Sequence, residues 1–498
     1  MSTPGSEHAD GALGRVGRGT AITWVSWAGG RVLTLATLLL LFRIDALTQH
    51  HNRGVGEILA ALATGVLGAS VAMGGLPDAT TRNAAASATG TDFGRGDLRR
   101  ALRRFTATLP GIAVLVVLVS YGTSGPIDAG VVVSALLLAI TQGATTIVAS
   151  VYRARGDAAR FAFITTVFIS AGRAVVAVFA FALAASVAVV LWSFVALNVL
   201  LIALTWRAAT RDLPDSQTHA EGQGAMQLGG VVWSLMGNLD LVTVGVVLGA
   251  GAAGDYGAAL RIGEISIQFL VALSVIYLPE ATRLAVGGHT NALRALYRTT
   301  SRWSTLVSVL AAGIGFVAAP SLAHIVVRTD QHTVTTLMRI LFAGYALHGA
   351  LGQTYSTLLA TGSYRDIWRS SIVSLPAIVV ATVALTVVFG TVGAAASTCV
   401  AYALTGVWWA WQVRRRIGVT PFDHHYTRAL GAVLASLVPA GAVAAVSGPL
   451  TPVGSLVVTC LVGAAAAVLL IRALGGLNSP ERARAAQLVV RLRGSLAR

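Results

Sequence analysis

Six ionisable side chains lie well inside apolar runs of this 498-residue chain, away from the run ends. A charge there is costly and is retained mainly for function. Arg31, Arg173 and Asp240 fall near the middle of their runs, and Glu264 about a third of the way along its own. Arg261 is one helical turn from Glu264, and His348 is mid-run. Arginine carries a planar fork of donors that grips a phosphate with two hydrogen bonds. Arg31, Arg173 and Arg261 are therefore candidates to hold an anionic head group in a water-filled cavity. A desolvated carboxylate favours its neutral or cation-bound form, so Asp240 and Glu264 are candidates to exchange H⁺ or Na⁺. His348 is a candidate proton relay. Plainer roles exist for each: Arg261 can pair with Glu264, Asp240 can pair with Arg31, and His348 can be a satisfied contact between helices. Arg339 and Glu57 begin their runs and can snorkel to water.

The elements that position these residues must be helices. The chain is 55% hydrophobic and only 11% charged, against about 25% charged in a soluble domain. Lipid offers the backbone no hydrogen-bond partners, so each apolar run must satisfy its own. The pattern predicts spans at roughly 20–42, 55–75, 105–122, 130–151, 161–182, 185–206, 227–249, 257–282, 303–323, 334–359, 370–389, 391–413, 429–447 and 453–474. The turns within 161–206 and 370–413 are very short. The first run, Thr20 to Phe42, is too long for the apolar core of a secretion signal. Prolines 110, 320, 376 and 439 fall within or at the start of spans and are candidate kinks.

All 36 basic residues are arginines. Of these, 29 fall in the loops on the side shared by both predicted termini, three (Arg43, Arg53 and Arg328) on the other side, and four within spans. That asymmetry predicts cytoplasmic termini. It also accounts for most of the net charge of +16 without a nucleic-acid partner. Two basic segments have an amphipathic spacing suited to anionic lipid: Asp92 to Phe105, and the stretch after Ser479-Pro480-Glu481 that carries Leu488, Val489, Leu492 and Leu496. Ordinary solvated loops are the alternative.

The chain also repeats itself. Trp24, Arg31 and Thr34 recur as Trp233, Asp240 and Thr243, 209 residues later. Leu76-Pro77-Asp78-Ala79-Thr80 recurs as Leu278-Pro279-Glu280-Ala281-Thr282. Gln142, Thr146, Ala149 and Tyr152-Arg153 recur as Gln353, Thr357, Ala360 and Tyr364-Arg365. An even number of spans per unit inserts both units the same way up. The expected fold class is thus an all-α polytopic membrane protein of about 14 transmembrane helices. Two six-helix lobes are related by a pseudo-two-fold along the membrane normal, with two C-terminal helices added. The expected organisation is a cytoplasmic tail 1–19, lobes 20–207 and 227–413, a cytoplasmic linker 208–226, two further helices within 429–474 and a basic cytoplasmic tail 475–498. Such symmetry suits alternating access, with the cargo path between the lobes.

No nucleotide-binding loop, metal motif or cofactor motif is present in the sequence, and the two cysteines, Cys399 and Cys460, have no metal or redox spacing. ATP-driven transport by this chain is therefore not expected. The constellations His50, His51 and Asp45, and His324, Asp330 and His332, lie in external loops of about ten residues with no scaffold around them. They read as solvated loop residues.

The start of each lobe resembles polysaccharide flippases of the O-antigen type in the multidrug/oligosaccharidyl-lipid/polysaccharide exporter superfamily. The resemblance runs over about residues 15–420. It rests on Gly237-Asn238-Leu239-Asp240, Leu248-Gly249, Gly254-Asp255-Tyr256-Gly257-Ala258-Ala259, Leu278-Pro279-Glu280 and the basic loop to Arg302. Arg43, Gly54 and Gly56 repeat the pattern in degraded form. Six plus six plus two helices also matches the lipid II flippases. The resemblance implies an undecaprenyl-diphosphate-linked oligosaccharide as cargo, moved from the cytoplasmic to the outer leaflet. It further implies that the last two helices accommodate the prenyl tail, and that a glycan polymerase and glycosyltransferases act in the same pathway. Lipid II flippases use an acid on the seventh helix for sodium, which Asp240 matches. The eleventh span offers only Ser370, Ser371 and Ser374 and departs from that pattern, so both H⁺ and Na⁺ stay open. Two alternatives are a cation-coupled drug exporter of the same superfamily and a membrane enzyme of polysaccharide polymerisation or ligation.

Overall fold

The computed structural model describes residues 11–17, 20, 23–27, 29–30, 33, 53–87, 94–122, 129–154, 157–182, 187–211, 214–215, 223–327, 330–447 and 450–475. Arg31, Arg43, Asp45, His50, His51 and the tail beyond Gly475 lie outside them, and so does the side chain of Glu57. The described residues are helical apart from short connections.

The helices in order are α1 (Arg53–Met73), α2 (Leu76–Ser87), α3 (Arg95–Gly122), α4 (Ala129–Ala154), α5 (Ala158–Ala162), α6 (Ile169–Ala182), α7 (Val187–Thr210), α8 (Gln223–Leu248), α9 (Ala250–Gly263), α10 (Gln268–Val286), α11 (Thr290–Val326), α12 (Gln331–Leu351), α13 (Thr354–Ala360), α14 (Tyr364–Ile417), α15 (His424–Val446) and α16 (Pro452–Ala473). A π-helical turn, Phe163–Phe168, joins α5 to α6, and a 3₁₀ turn, Glu264–Ile267, joins α9 to α10. Ten helical stretches among the described residues are long and apolar enough to cross a membrane. The protein is a multi-pass membrane protein.

The 54 residues of α14 hold two spans. As one straight helix they would extend about 80 Å, far beyond a bilayer. Gly390 takes φ 61 and ψ −142, which breaks the helical path. The chain then folds back, and a Cβ on Gly393 would overlap the Leu385 carbonyl oxygen. At the other end of this hairpin, Trp409 Nε1 donates to Ser370 Oγ at 3.0 Å and Arg416 Nε to Asp366 Oδ2 at 2.9 Å. The very short turn expected between 370–389 and 391–413 is therefore one glycine in a conformation that other residues rarely adopt.

The span expected at 334–359 is divided at Gly352, where φ is +67 and Ser301 leaves no room for a side chain. Side chains take up carbonyls freed at the break: Ser304 donates to the Gly349 carbonyl at 3.1 Å and Tyr426 to the Ala350 carbonyl at 2.7 Å, while the Gln353 side chain ties the break to α10 through the Leu270 carbonyl at 3.1 Å and Ser274 at 2.8 Å. Non-helical backbone at membrane depth is tolerated where protein encloses it or a cavity borders it. The prolines expected to kink spans sit inside α3, α11, α14 and α15 without ending them.

One expectation is corrected. The basic stretch up to Phe105 is no lipid-facing segment, because from Arg95 it is the first part of α3. Leu98 and Phe105 are each 2% exposed, and Phe105 lies against Gly143 of α4. Its apolar spacing serves protein packing, which leaves the arginines on the outer face.

Candidate functional site

At the end of the bundle that carries the arginine-rich connections, the first half of the chain meets the second. Gly75 of the α1–α2 turn and Gly230 of α8 make the closest approach. A Cβ on Gly75 would overlap the Met226 carbonyl oxygen, and one on Gly230 would overlap the backbone of Gly74 and Gly75. Arginines stitch the two halves together around this point. Arg15 donates to both carboxylate oxygens of Glu280, each at 2.9 Å. That hydrogen bonding raises the pKa of Arg15 above its ordinary value. Arg283 donates to the same carboxylate at 2.7 Å. Arg153 pairs with Asp78 at 2.6 Å and donates to the Val275 and Ser274 carbonyls at 3.1 and 3.2 Å. Arg82 donates to the Leu359 carbonyl at 3.1 Å and covers the Tyr364 ring at 5.0 Å.

Above these contacts a cavity of about 260 Å³ opens between the halves. The first half contributes Trp27, Ser70, Asp78 and Arg153 to its lining; the second contributes Trp233, His348, Tyr355 and Trp409. The second-half rings form one continuous wall. Trp233 lies 5.1 Å from His348 and stacks on Tyr355 at 6.4 Å, and Tyr355 lies 4.8 Å from Trp409. Such rings combine a large apolar face with a polar edge.

The sequence candidates fall into two groups. Asp240 is 2% exposed and fully engaged within the second half. Tyr256 donates its hydroxyl to Oδ2 at 2.7 Å, Thr398 donates to the same oxygen at 2.6 Å, and the Leu241 amide meets Oδ1 at 2.8 Å. Arg261 donates to both oxygens of Glu264 at 3.0 and 3.1 Å, so the plainer pairing of these two is present. Arg173 differs. Its Nη2 donates to Gln142 at 2.6 Å and its guanidinium covers Phe194 at 5.6 Å. It has no carboxylate partner among the described residues, and its Nε is buried with no acceptor. Arg173 and Arg261 lie within electrostatic reach of each other, as do Asp240 and Glu264, which gathers four of the candidates into one region. His348 is 5% exposed and lines the cavity. Arg339 is exposed and covers Phe316 at 5.7 Å. Asp330 caps α12 by accepting from the Thr333 amide at 3.2 Å, and His324 contacts Gln331 at 3.1 Å.

Several site residues escaped the sequence reading. The repeat singles out Trp24, which is 40% exposed, whereas Trp27 one turn along lines the cavity. Tyr256 and Thr398 complete the Asp240 site; Tyr256 lay within a noted motif, but nothing linked it to the acid. By position in the sequence Arg153 is an orienting loop arginine. Its recurrence in the repeat beside a tyrosine was the signal that it occupies a built position.

No protein-family model matches the sequence, and no curated protein matches it. Solved structures do match in fold. The lipid II flippase MurJ, in an inward closed conformation, aligns at TM-score 0.64 and 11% identity, covering 90% of this chain and 98% of that one. A MOP superfamily transporter from Pyrococcus furiosus aligns at TM-score 0.56 and 14% identity, covering 84% and 99%. A MATE transporter from Vibrio cholerae aligns at 0.54 and 16% identity, covering 83% and 98%. The chain shares the polytopic helical fold of these proteins.

Proposed function

We propose that this protein is a flippase that moves an undecaprenyl-diphosphate-linked oligosaccharide from the cytoplasmic to the outer leaflet by alternating access. Arg173 carries the reading. Its guanidinium is part-buried, its Nε has no acceptor, and it has no carboxylate partner among the described residues. An uncompensated buried charge is expensive, and an anionic ligand removes the expense. A diphosphate fits the forked donor geometry.

Arg31 is assigned to the same anion site on its position in the sequence. Asp240, with Tyr256 and Thr398 as its partners, is assigned to exchange of H⁺ or Na⁺. Glu264 sets the charge of Arg261, and His348 sits by the cargo path. The protein resides in the bacterial cytoplasmic membrane with both termini in the cytoplasm, so the arginine-stitched end is the inner gate. A glycan polymerase and glycosyltransferases of the same pathway would supply and consume the cargo. Moving each of roughly two negative charges outward across about 100 mV, inside negative, releases about 2.3 kcal/mol. The potential therefore assists export with or without an ion.

Binding by the purified full chain tests the anion site. A short-chain polyprenyl diphosphate should bind, the corresponding prenyl alcohol should not, and Arg173→Ala should lose the difference. Equal binding of both lipids by the unaltered protein would refute the reading.

A further inference from the structure

We infer that the aromatic wall of the inter-half cavity is a binding site for one neutral pyranose ring of the cargo, an inference that rests on the flippase reading above. Three observations point there. First, Trp27 Nε1, the Tyr355 hydroxyl and both ring nitrogens of His348 are buried without a hydrogen-bond partner, and all three residues line this one cavity. Buried polar groups are normally paired, so unpaired ones converging on a single space mark what should fill it. A neutral histidine offers one donor and one acceptor, a tyrosine hydroxyl both, and an indole a donor. A sugar hydroxyl, itself donor and acceptor, matches all of them.

Second, Trp233, Tyr355 and Trp409 line the cavity as one continuous run of packed aromatic rings. The axial C–H groups of a pyranose form an apolar patch that lies against such a face while the equatorial hydroxyls point to its edge. Third, the charges at the cavity cancel, because Arg153 is paired with Asp78 at 2.6 Å. The space therefore selects neither an anion nor a cation. It is separate from the unneutralised Arg173, to which the diphosphate is assigned. Its volume of about 260 Å³ lies just below the roughly 300 Å³ at which drug-sized pockets begin. That is room for one ring and not for an oligosaccharide, so the remaining sugars require the halves to part.

The test uses the purified full chain and two probes: a short-chain polyprenyl diphosphate bearing a single hexose, and the same diphosphate without sugar. The unaltered protein should bind the glycosylated probe tighter by roughly tenfold or more, as a site built for hydroxyls does. Trp27→Phe and Tyr355→Phe keep the rings and remove the donors. Each should bring the ratio close to one while the bare diphosphate binds as before, which also shows that the variants are folded. A ratio near one in the unaltered protein, with the bare diphosphate still bound, would overturn the sugar site and leave the flippase reading standing. An unchanged ratio in both variants would overturn it too. Failure of the unaltered protein to bind either diphosphate would refute both readings.

Discussion

Arg15 and Glu280 form a two-pronged ion pair, 2.9 Å on each side, that ties the start of the chain to the far end of α10. The pair joins the halves at the arginine-rich end and must part whenever that end opens. The Arg15 side chain is 55% exposed, and the buried Glu280 keeps Arg283 at 2.7 Å when Arg15 is removed, so the loss is about 1 kcal/mol. Arg15→Ala should leave folding intact and shift the balance towards the open form by up to about fivefold. Cysteine labelling of positions lining the cavity, applied from the arginine-rich side, reads this shift. No change in labelling would mean that the pair does not hold the gate.

The engagement of Asp240 by Tyr256 and Thr398 separates its two possible duties. Tyr256→Phe removes a hydrogen bond to a buried carboxylate, worth about 1.5–3 kcal/mol, and should lower thermal stability accordingly. Asp240→Asn keeps the shape and removes the charge. It should abolish any dependence of transport on Na⁺ or a proton gradient while leaving the response to membrane potential. Ion dependence that survives in Asp240→Asn assigns coupling elsewhere.

At Arg173 the geometry of the cation matters as well as its charge. Lysine carries a point charge in place of the fork. Arg173→Lys should bind a polyprenyl diphosphate about tenfold more weakly, a loss of about 1.4 kcal/mol, and Arg173→Ala more weakly still. Isothermal titration with the short-chain lipid checks both, and equal affinity in Arg173→Lys would show that only charge is used.

Gly390 turns α14 back on itself at φ 61 and ψ −142. Any side chain there is strained by about 1–3 kcal/mol. Gly390→Ala should lower the melting temperature in detergent, whereas the same change at Gly431, where a Cβ would meet open space, should not.

Much of this was legible in the sequence because a bilayer simplifies the problem. Hydrocarbon leaves the backbone only one way to satisfy itself, so the spans from 227 onward fall on helical segments, although α11 begins at Thr290, 13 residues before the span expected at 303. The exceptions lie at Gly352, where Ser304 and Tyr426 bond the freed carbonyls, and at the base of α3, where apolar spacing that fits a lipid surface instead faces α4. The pairing of Arg261 with Glu264 followed from their spacing alone. The cavity did not. Trp27, Tyr355 and Trp409 sit on different helices, and an aromatic residue on an apolar helix has the same signature in a core as in a binding wall. What distinguishes Trp27 and Tyr355 is that their polar edges have no partner, which only the assembled bundle reveals.

Reconstitution tests the central claim most directly. The purified chain is placed in vesicles with a fluorescent undecaprenyl-diphosphate-linked sugar, and a potential, negative on the arginine-rich side, is imposed. The account predicts protein-dependent transfer of the lipid to the far leaflet, lost in Arg173→Ala. Transfer no faster than in empty vesicles, with transport of a cationic dye in its place, would contradict it.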